Sequence, residues 1–171
     1  MRIDVIGLPA SGKSTFAVAI SEKLSIPHIH LDRFWFERGG RQSKHNTPNL
    51  DEVRAKVRER TAEAVQEESW VSDGIYLHVQ DLISERADKI IFLDIPLITR
   101  LFAHAQRAFF EPKRHAELNF WDEITFFREI IKRNVSSKPK LLKFVAEHND
   151  MIIRLRSRKE MNEYLRSLNR I

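Results

Sequence analysis

The feature that most constrains this chain is a run near its start, Gly7-Leu8-Pro9-Ala10-Ser11-Gly12-Lys13-Ser14-Thr15, which fits the pattern G-x-x-x-x-G-K-[ST]. The residues before it, Arg2-Ile3-Asp4-Val5-Ile6, read as a short strand. Those after it, 13–24, read as a helix, because Phe16, Ala19, Ile20 and Leu24 recur at helical spacing. A glycine-bearing turn between a strand and a helix N-terminus gathers backbone N–H groups and the positive end of the helix dipole around one small volume, which suits phosphate oxygens. Lys13 is then expected to reach the β- and γ-phosphates of a nucleoside triphosphate, with the Ser14 hydroxyl on Mg²⁺. The bland alternative is a glycine turn with no ligand. A chance match to the pattern in a chain this long has odds under about 1%.

The rest of the chain alternates strand and helix signals. Strands are expected at 27–31, 69–72, 89–94 and 151–155, and helices at 51–67 (with Asn49 as cap), 76–86, 96–109, 118–134, 138–148 and 158–168. Lys89-Ile90-Ile91-Phe92-Leu93 is the clearest strand, a continuous apolar run of the kind buried on both faces of a parallel sheet. Residues 34–49 are too polar and glycine-bearing for a core element and are expected to form a loop. Strands separated by helices predict an α/β fold with a five-stranded parallel sheet and right-handed crossovers. In such sheets ligands bind beyond the carboxyl ends of the strands, so the informative residues are those that follow each strand.

Composition bounds the setting. The chain has 171 residues, one domain's worth, and no cysteine, so disulfides and thiolate metal sites are excluded. No stretch approaches the roughly 20 apolar residues of a membrane span. Asp4 and Gly7 break any signal-peptide layout, and the expectation is a cytoplasmic protein. Residues 1–99 carry 13 Lys+Arg against 15 Asp+Glu, whereas residues 100–143 carry 10 against 5. A basic segment of this kind seeks a polyanion, either the phosphates of a nucleotide or the backbone of a nucleic acid; an ordinary solvated helix face is the competing reading.

Several strand-end residues become site candidates. Asp73-Gly74 closes the third strand, where the carboxylate would face the phosphate loop and hold Mg²⁺; an Asp-Gly turn is the plain alternative. Asp32 closes the second strand and is expected to orient a substrate hydroxyl, accept its proton or bind a water on Mg²⁺; a cap or surface carboxylate is the plain alternative. His28 and His30 lie on one strand face and read as structural or supporting residues. Asp94, beside Ile95-Pro96, reads as a turn or packing residue. Arg100 and Arg107 lie seven residues apart on one helix, with Lys113 and Arg114 in the break that follows. Guanidinium groups stabilise the charge that phosphoryl transfer spreads over the moving group, and a lid carrying them excludes water. Arg156 and Arg158 follow the last strand, where they could cover a nucleotide base. Phe34, Trp35 and Phe36 either stack on an acceptor or cover the sheet edge. Phe120, Ile124, Phe127 and Ile131 have the spacing of a packing stripe.

Taken in order, GLPASGKST, Asp32, Asp73-Gly74, FLDIP at 92–96 and Arg100/Arg107 resemble the adenylate-kinase-like group of small P-loop kinases. Within it, IPHIHLD, Trp35 and Trp70-Val71-Ser72-Asp73-Gly74-Ile75-Tyr76 are most similar to bacterial topology-modulation proteins. The resemblance implies a P-loop NTPase fold, ATP and Mg²⁺ as ligands, and phosphoryl transfer to a small acceptor. It also gives Arg100 and Arg107 phosphate-binding roles. Ile75-Tyr76 stands where adenylate kinases carry Phe-Pro-Arg, so the arginine expected for a nucleoside monophosphate is missing.

These readings assemble into one domain, 1–171, with an acceptor-side loop and helix at 33–68 and a lid-like basic helical segment at about 100–143. Gly7, Leu8, Pro9, Ala10, Ser11, Gly12, Lys13, Ser14 and Thr15, with Arg100, Arg107, Arg114 and Arg156, are the expected nucleotide contacts. Ser14 and Asp73 are the expected metal ligands, and Lys13, Asp32 and Arg107 the expected catalytic groups. The alternative is a nucleotide-dependent DNA- or RNA-binding regulator that uses segment 100–143.

Overall fold

The computed structural model describes residues 1–39, 47–76, 78–110 and 120–168, with the side chains of 107–110 and 120–123 left aside. Five strands form one parallel sheet: β1 (Arg2–Gly7), β2 (His28–His30), β3 (Trp70–Asp73), β4 (Lys89–Leu93) and β5 (Ile152–Leu155), in the spatial order β2-β3-β1-β4-β5. The helices are α1 (Lys13–Leu24), α2 (Leu31–Glu37), α3 (Leu50–Ala64), α4 (Gln80–Ser84), α5 (Leu97–Phe110), α6 (Phe120–Ser136), α7 (Lys138–Glu147) and α8 (Arg158–Ser167). This is the five-stranded parallel sheet flanked by helices that the alternating pattern predicts.

Strand alternation sorts the core into two layers. Ile3, Val5, Ile91 and Leu93 pack with Phe16, Ile20 and Leu24 of α1 and with Leu155 on one face of the sheet. Ile6, Ile90, Phe92 and Trp70 pack with Val53 and Val57 of α3, Ile83 of α4 and Leu141 of α7 on the other. Both faces are covered, which is why β4 reads as unbroken apolar sequence.

The region read as a loop after β2 differs from the expectation. Residues 31–37 form α2, with Leu31, Phe34 and Trp35 buried on one face and Phe36 half exposed. Phe34 lies under the guanidinium of Arg60, 4.1 Å from its ring centre, and Trp35 packs against Tyr76. Arg60 and Arg33 both reach Glu37, which ties α2 to α3. The two inward aromatics therefore cover the sheet edge. The propensity signals pointed to loop, and burial of Phe34 and Trp35 overrides them.

The expected stripe on α6 also differs. Among the described side chains of α6, Ile130 is fully buried, Ile124 is half-buried and Phe127 and Ile131 are substantially exposed, while the side chain of Phe120 lies outside the described ones. Asn49 does precede α3, but its side chain makes no bond to the helix backbone; it meets the side chain of Glu52 instead. Among the described residues no helix is long and apolar enough to cross a membrane.

Candidate active site at the carboxyl edge of the sheet

β1 runs straight into the phosphate loop, and Gly12 precedes α1 in a left-handed conformation. The loop is tight. A Cβ on Gly7 would lie 2.8 Å from Ser11 Oγ and 2.9 Å from the Leu93 carbonyl, so only glycine fits. Ala10, at φ 62, also sits in the left-handed region, a local cost of the kind concentrated at ligand-binding loops. Ser11 Oγ is buried without a hydrogen-bond partner. Lys13 Nζ folds back to donate to the Leu8 carbonyl at 3.2 Å. Burial lowers the Lys13 ammonium, with Asp32 and Asp73 acting against that shift.

Asp73 stands beside Ser14, whose hydroxyl donates to its Oδ2. Parallel pairing of β2 with β3 sets His30 opposite Asp73, and strand alternation places His28 on the same face as His30. His28 Nε2 lies 2.9 Å from Asp73 Oδ1, and His30 Nδ1 lies 3.0 Å from the same atom. The His28 contact is a well-aligned hydrogen bond; the His30 contact is close but poorly directed, an electrostatic pairing. Burial alone would raise the Asp73 carboxyl, but His28, His30 and Ser14 outweigh it and hold the group well below the ordinary carboxylate range. The contact with Asp73 in turn pushes His30 up. After Asp73 the chain turns at Gly74, φ +121, where a Cβ would sit 3.1 Å from Leu31 Cβ. The dihedral is what favours glycine here, and the close approach to Leu31 adds to the strain of any larger residue.

Asp32 lies in the first turn of α2, two residues past the end of β2, and is half-buried. The Tyr76 hydroxyl donates to Asp32 Oδ1 at 2.6 Å. Burial first, then the charge of Asp32, raises the Tyr76 phenol far above its usual value, so it remains a donor. Tyr76 is held by Trp35 and His78, with ring centres 5.6 and 5.9 Å away. Arg58 fixes the approach to this cluster by donating to the His78 carbonyl at 2.7 Å while it pairs with Asp81.

Arg100 does not occupy the expected phosphate-facing position. Only 1% of it is exposed; its Nε donates to the Ile95 carbonyl at 3.0 Å and Nη1 to the Pro9 carbonyl at 3.1 Å. Nη2 donates to Asn134 Oδ1. It ties α5 and α6 to the back of the phosphate loop, because the helix turn that carries it faces the core. Arg107 lies in the last turns of α5, where its side chain is outside the described ones, and Lys113 and Arg114 lie outside the described residues. Arg156 is exposed; its backbone N–H donates to Glu160 Oε2 at 2.9 Å. Asp94 pairs with Arg154, a packing role at the sheet edge.

One residue that sequence reasoning missed is Arg133 of α6. It pairs with Glu129 at 3.2 Å, and it is near enough that its charge bears on both Lys13 and Tyr76. In sequence it is one of several charges in a basic segment, and only the Arg100–Asn134 bond, which draws this turn of α6 to the phosphate loop, singles it out.

The residues present fit a nucleotide with a divalent cation. The loop has the tightness that a backbone cradle needs, and Ser14 Oγ beside Asp73 Oδ2 is a pair of hard oxygens. Mg²⁺ commonly keeps several waters and takes only one or two protein oxygens in addition to phosphate.

No family model matches the chain, and no curated protein matches it. Among solved structures, a shikimate kinase from Bacteroides thetaiotaomicron matches with a TM-score of 0.57 at 18% identity, over 97% of this chain and 94% of that one. A shikimate kinase from Acinetobacter baumannii, solved in complex with shikimate, matches with a TM-score of 0.56 at 13% identity, over 96% and 88%. At these identities the likeness establishes the fold: a small P-loop kinase fold across nearly the whole chain.

Proposed function

We propose that this protein is an ATP-dependent phosphotransferase acting on a small hydroxyl-bearing acceptor. The observation that carries the reading is the pair of carboxylates at adjacent strand ends. Asp73 is joined to the phosphate-loop serine, and Asp32 stands outside it, held by a phenol. This is the division that phosphoryl transfer needs, one acid at the nucleotide and one at the nucleophile.

Residues Gly7–Thr15 cradle the triphosphate. Lys13 leaves its resting contact with the Leu8 carbonyl to meet the β- and γ-phosphates, and its lowered affinity for protons is offset by their charge. Mg²⁺, held by Ser14 and Asp73, would neutralise charge on the phosphate oxygens. Asp32 orients the acceptor hydroxyl and takes its proton as the bond to phosphorus forms, while the Tyr76 hydroxyl holds its carboxylate in place. Arg107, Arg114 and Arg156 remain candidates for the nucleotide's outer face. Arg133, whose charge bears on both Lys13 and Tyr76, is added as a candidate cation for an acceptor that carries an anionic group.

The nucleic-acid reading gains no support from the described part of the basic segment. Arg100 is buried, and Lys132 and Arg133 are paired with Glu129. The test is ADP release from Mg·ATP against nucleoside and deoxynucleoside monophosphates, nucleosides, shikimate and gluconate, with Lys13→Ala as control. Stimulation by one acceptor, abolished in the control, is expected. Slow hydrolysis indifferent to every acceptor would overturn the assignment, and steeply salt-dependent DNA binding would then favour the regulator.

A further inference from the structure

The two histidines of β2 are not explained by packing alone. β2 is only three residues long, and two of them are imidazoles turned to the same carboxylate oxygen. Their rings stack, with centres 5.5 Å apart and planes 13° from parallel. Ile29, between them, points the other way into the core. Both rings are only partly buried, but the His30 nitrogen that faces Asp73 is itself enclosed, and an enclosed nitrogen carries a desolvation cost unless it meets a polar partner.

What the nitrogens do is divide the two oxygens of Asp73. Oδ1 faces His28 and His30, and Oδ2 faces Ser14. The charge of Asp73 bears on Lys13, so a carboxylate free to rotate would be drawn toward the lysine. A swing of that kind would take Lys13 from the phosphates and Oδ2 from the cation at once. We propose that His28 and His30 are positioning residues for the divalent-cation site: they anchor Oδ1 of Asp73 so that Oδ2 and Ser14 Oγ are the oxygens presented to the cation of a bound nucleotide. The inference rests on the reading of Ser14 and Asp73 given above. His28, whose contact meets hydrogen-bond geometry, carries most of the anchoring, and His30 supports it by stacking on that ring and by placing Nδ1 3.0 Å from the same oxygen. Partners behind a metal-binding carboxylate commonly change affinity by about 10–100-fold when removed.

Two substitutions separate the donor from the ring. His28→Phe keeps a ring to stack on His30 and removes the donor, while His28→Gln keeps an N–H near the position of Nε2 and removes the ring. The probe is Mn²⁺ titrated into protein loaded with a non-hydrolysable ATP analogue, with free Mn²⁺ read by electron paramagnetic resonance; nucleotide affinity is measured separately in EDTA. The expected result is a 10–100-fold loss of Mn²⁺ affinity in His28→Phe, near-native affinity in His28→Gln, and unchanged affinity for metal-free nucleotide in both. The reverse pattern, with Phe tolerated and Gln damaging, would make the pair a packing device and overturn the proposal. So would equal losses of Mn²⁺ and metal-free nucleotide binding. Unmodified protein that binds nucleotide and Mn²⁺ but phosphorylates no acceptor would sink the kinase assignment and leave this inference standing. Failure of unmodified protein to bind the nucleotide would sink both.

Discussion

Asp73 and Asp32 stand at the ends of neighbouring strands, and the protein treats them differently. Asp73 is almost wholly enclosed, gripped on both oxygens by a serine and two histidines, and held firmly ionised. Asp32 is half-buried at the start of a short helix, with a single phenol on one oxygen. On the proposed reading, the nucleotide corner is therefore organised before any ligand arrives, as electrostatic preorganisation requires. The acceptor corner is held by the Tyr76–Asp32 hydrogen bond, by Arg58 on the His78 carbonyl and by aromatic packing among Trp35, Tyr76 and His78. A corner built that way can be reshaped by a few substitutions around a fixed nucleotide site.

The contrast can be broken most forcefully at Lys13. Lys13→Ala is expected to lower turnover by about 100-fold or more while thermal unfolding is little changed. Unaltered ADP release would remove the phosphate loop from the mechanism. Asp32→Asn comes next, with about 100-fold slower acceptor phosphorylation and near-native ATP affinity by calorimetry. If nucleotide affinity collapses equally, the two carboxylates are not divided as described.

Arg100 tests whether the floor beneath the nucleotide corner is scaffold or ligand site. Removing it leaves the Pro9 carbonyl and Asn134 without their donor, so Arg100→Ala is expected to cost about 2–3 kcal/mol of stability in denaturant titration. Normal stability with lost nucleotide affinity would return Arg100 to the phosphates.

Asp4 lies under both corners, in the strand between β3 and β4. It is fully buried and accepts from Ser72 at 2.7 Å and Gln80 at 2.6 Å. Burial pushes its carboxyl up to about 7, which the two hydrogen bonds only partly oppose. A carboxyl raised on folding contributes stability that is present below its unfolded value, about 4, and is lost as pH climbs through 7. Relative to Asp4→Asn, the unmodified protein is expected to lose roughly 2 kcal/mol between pH 5 and pH 8. Parallel stability curves for the two proteins would show that Asp4 ionises normally. The smallest effect belongs to Tyr76→Phe, about 1 kcal/mol of stability with a several-fold drop in kcat and little change in nucleotide affinity. A drop as large as that of Asp32→Asn would mean that the phenol itself meets the substrate.

The phosphate loop and the parallel sheet were legible because their signals are local. Gly7, Gly12, Lys13 and Ser14 act through spacing along the chain, and the apolar run at β4 reflects burial on both faces. The helix at Leu31–Glu37 was hidden because three successive aromatics and a glycine pair look like loop until Trp35 finds its slot beside Tyr76. Arg100 carried the spacing of a phosphate ligand, yet its depth in the fold depends on Asn134 and Pro9, which are distant in sequence.

What the sequence determined by itself is the chemistry at one strand end: glycines that permit a tight turn, followed by a lysine and a hydroxyl at fixed intervals. That chemistry is encoded in consecutive residues, so no distant contact is needed to see it. What only the tertiary structure decided is which side chains from separate elements share an atom: two histidines from β2 on one oxygen of Asp73, a tyrosine on Asp32, and an arginine of α6 near Lys13. Strand register and helix rotation set those meetings, and both are fixed by the burial of residues far apart in the chain.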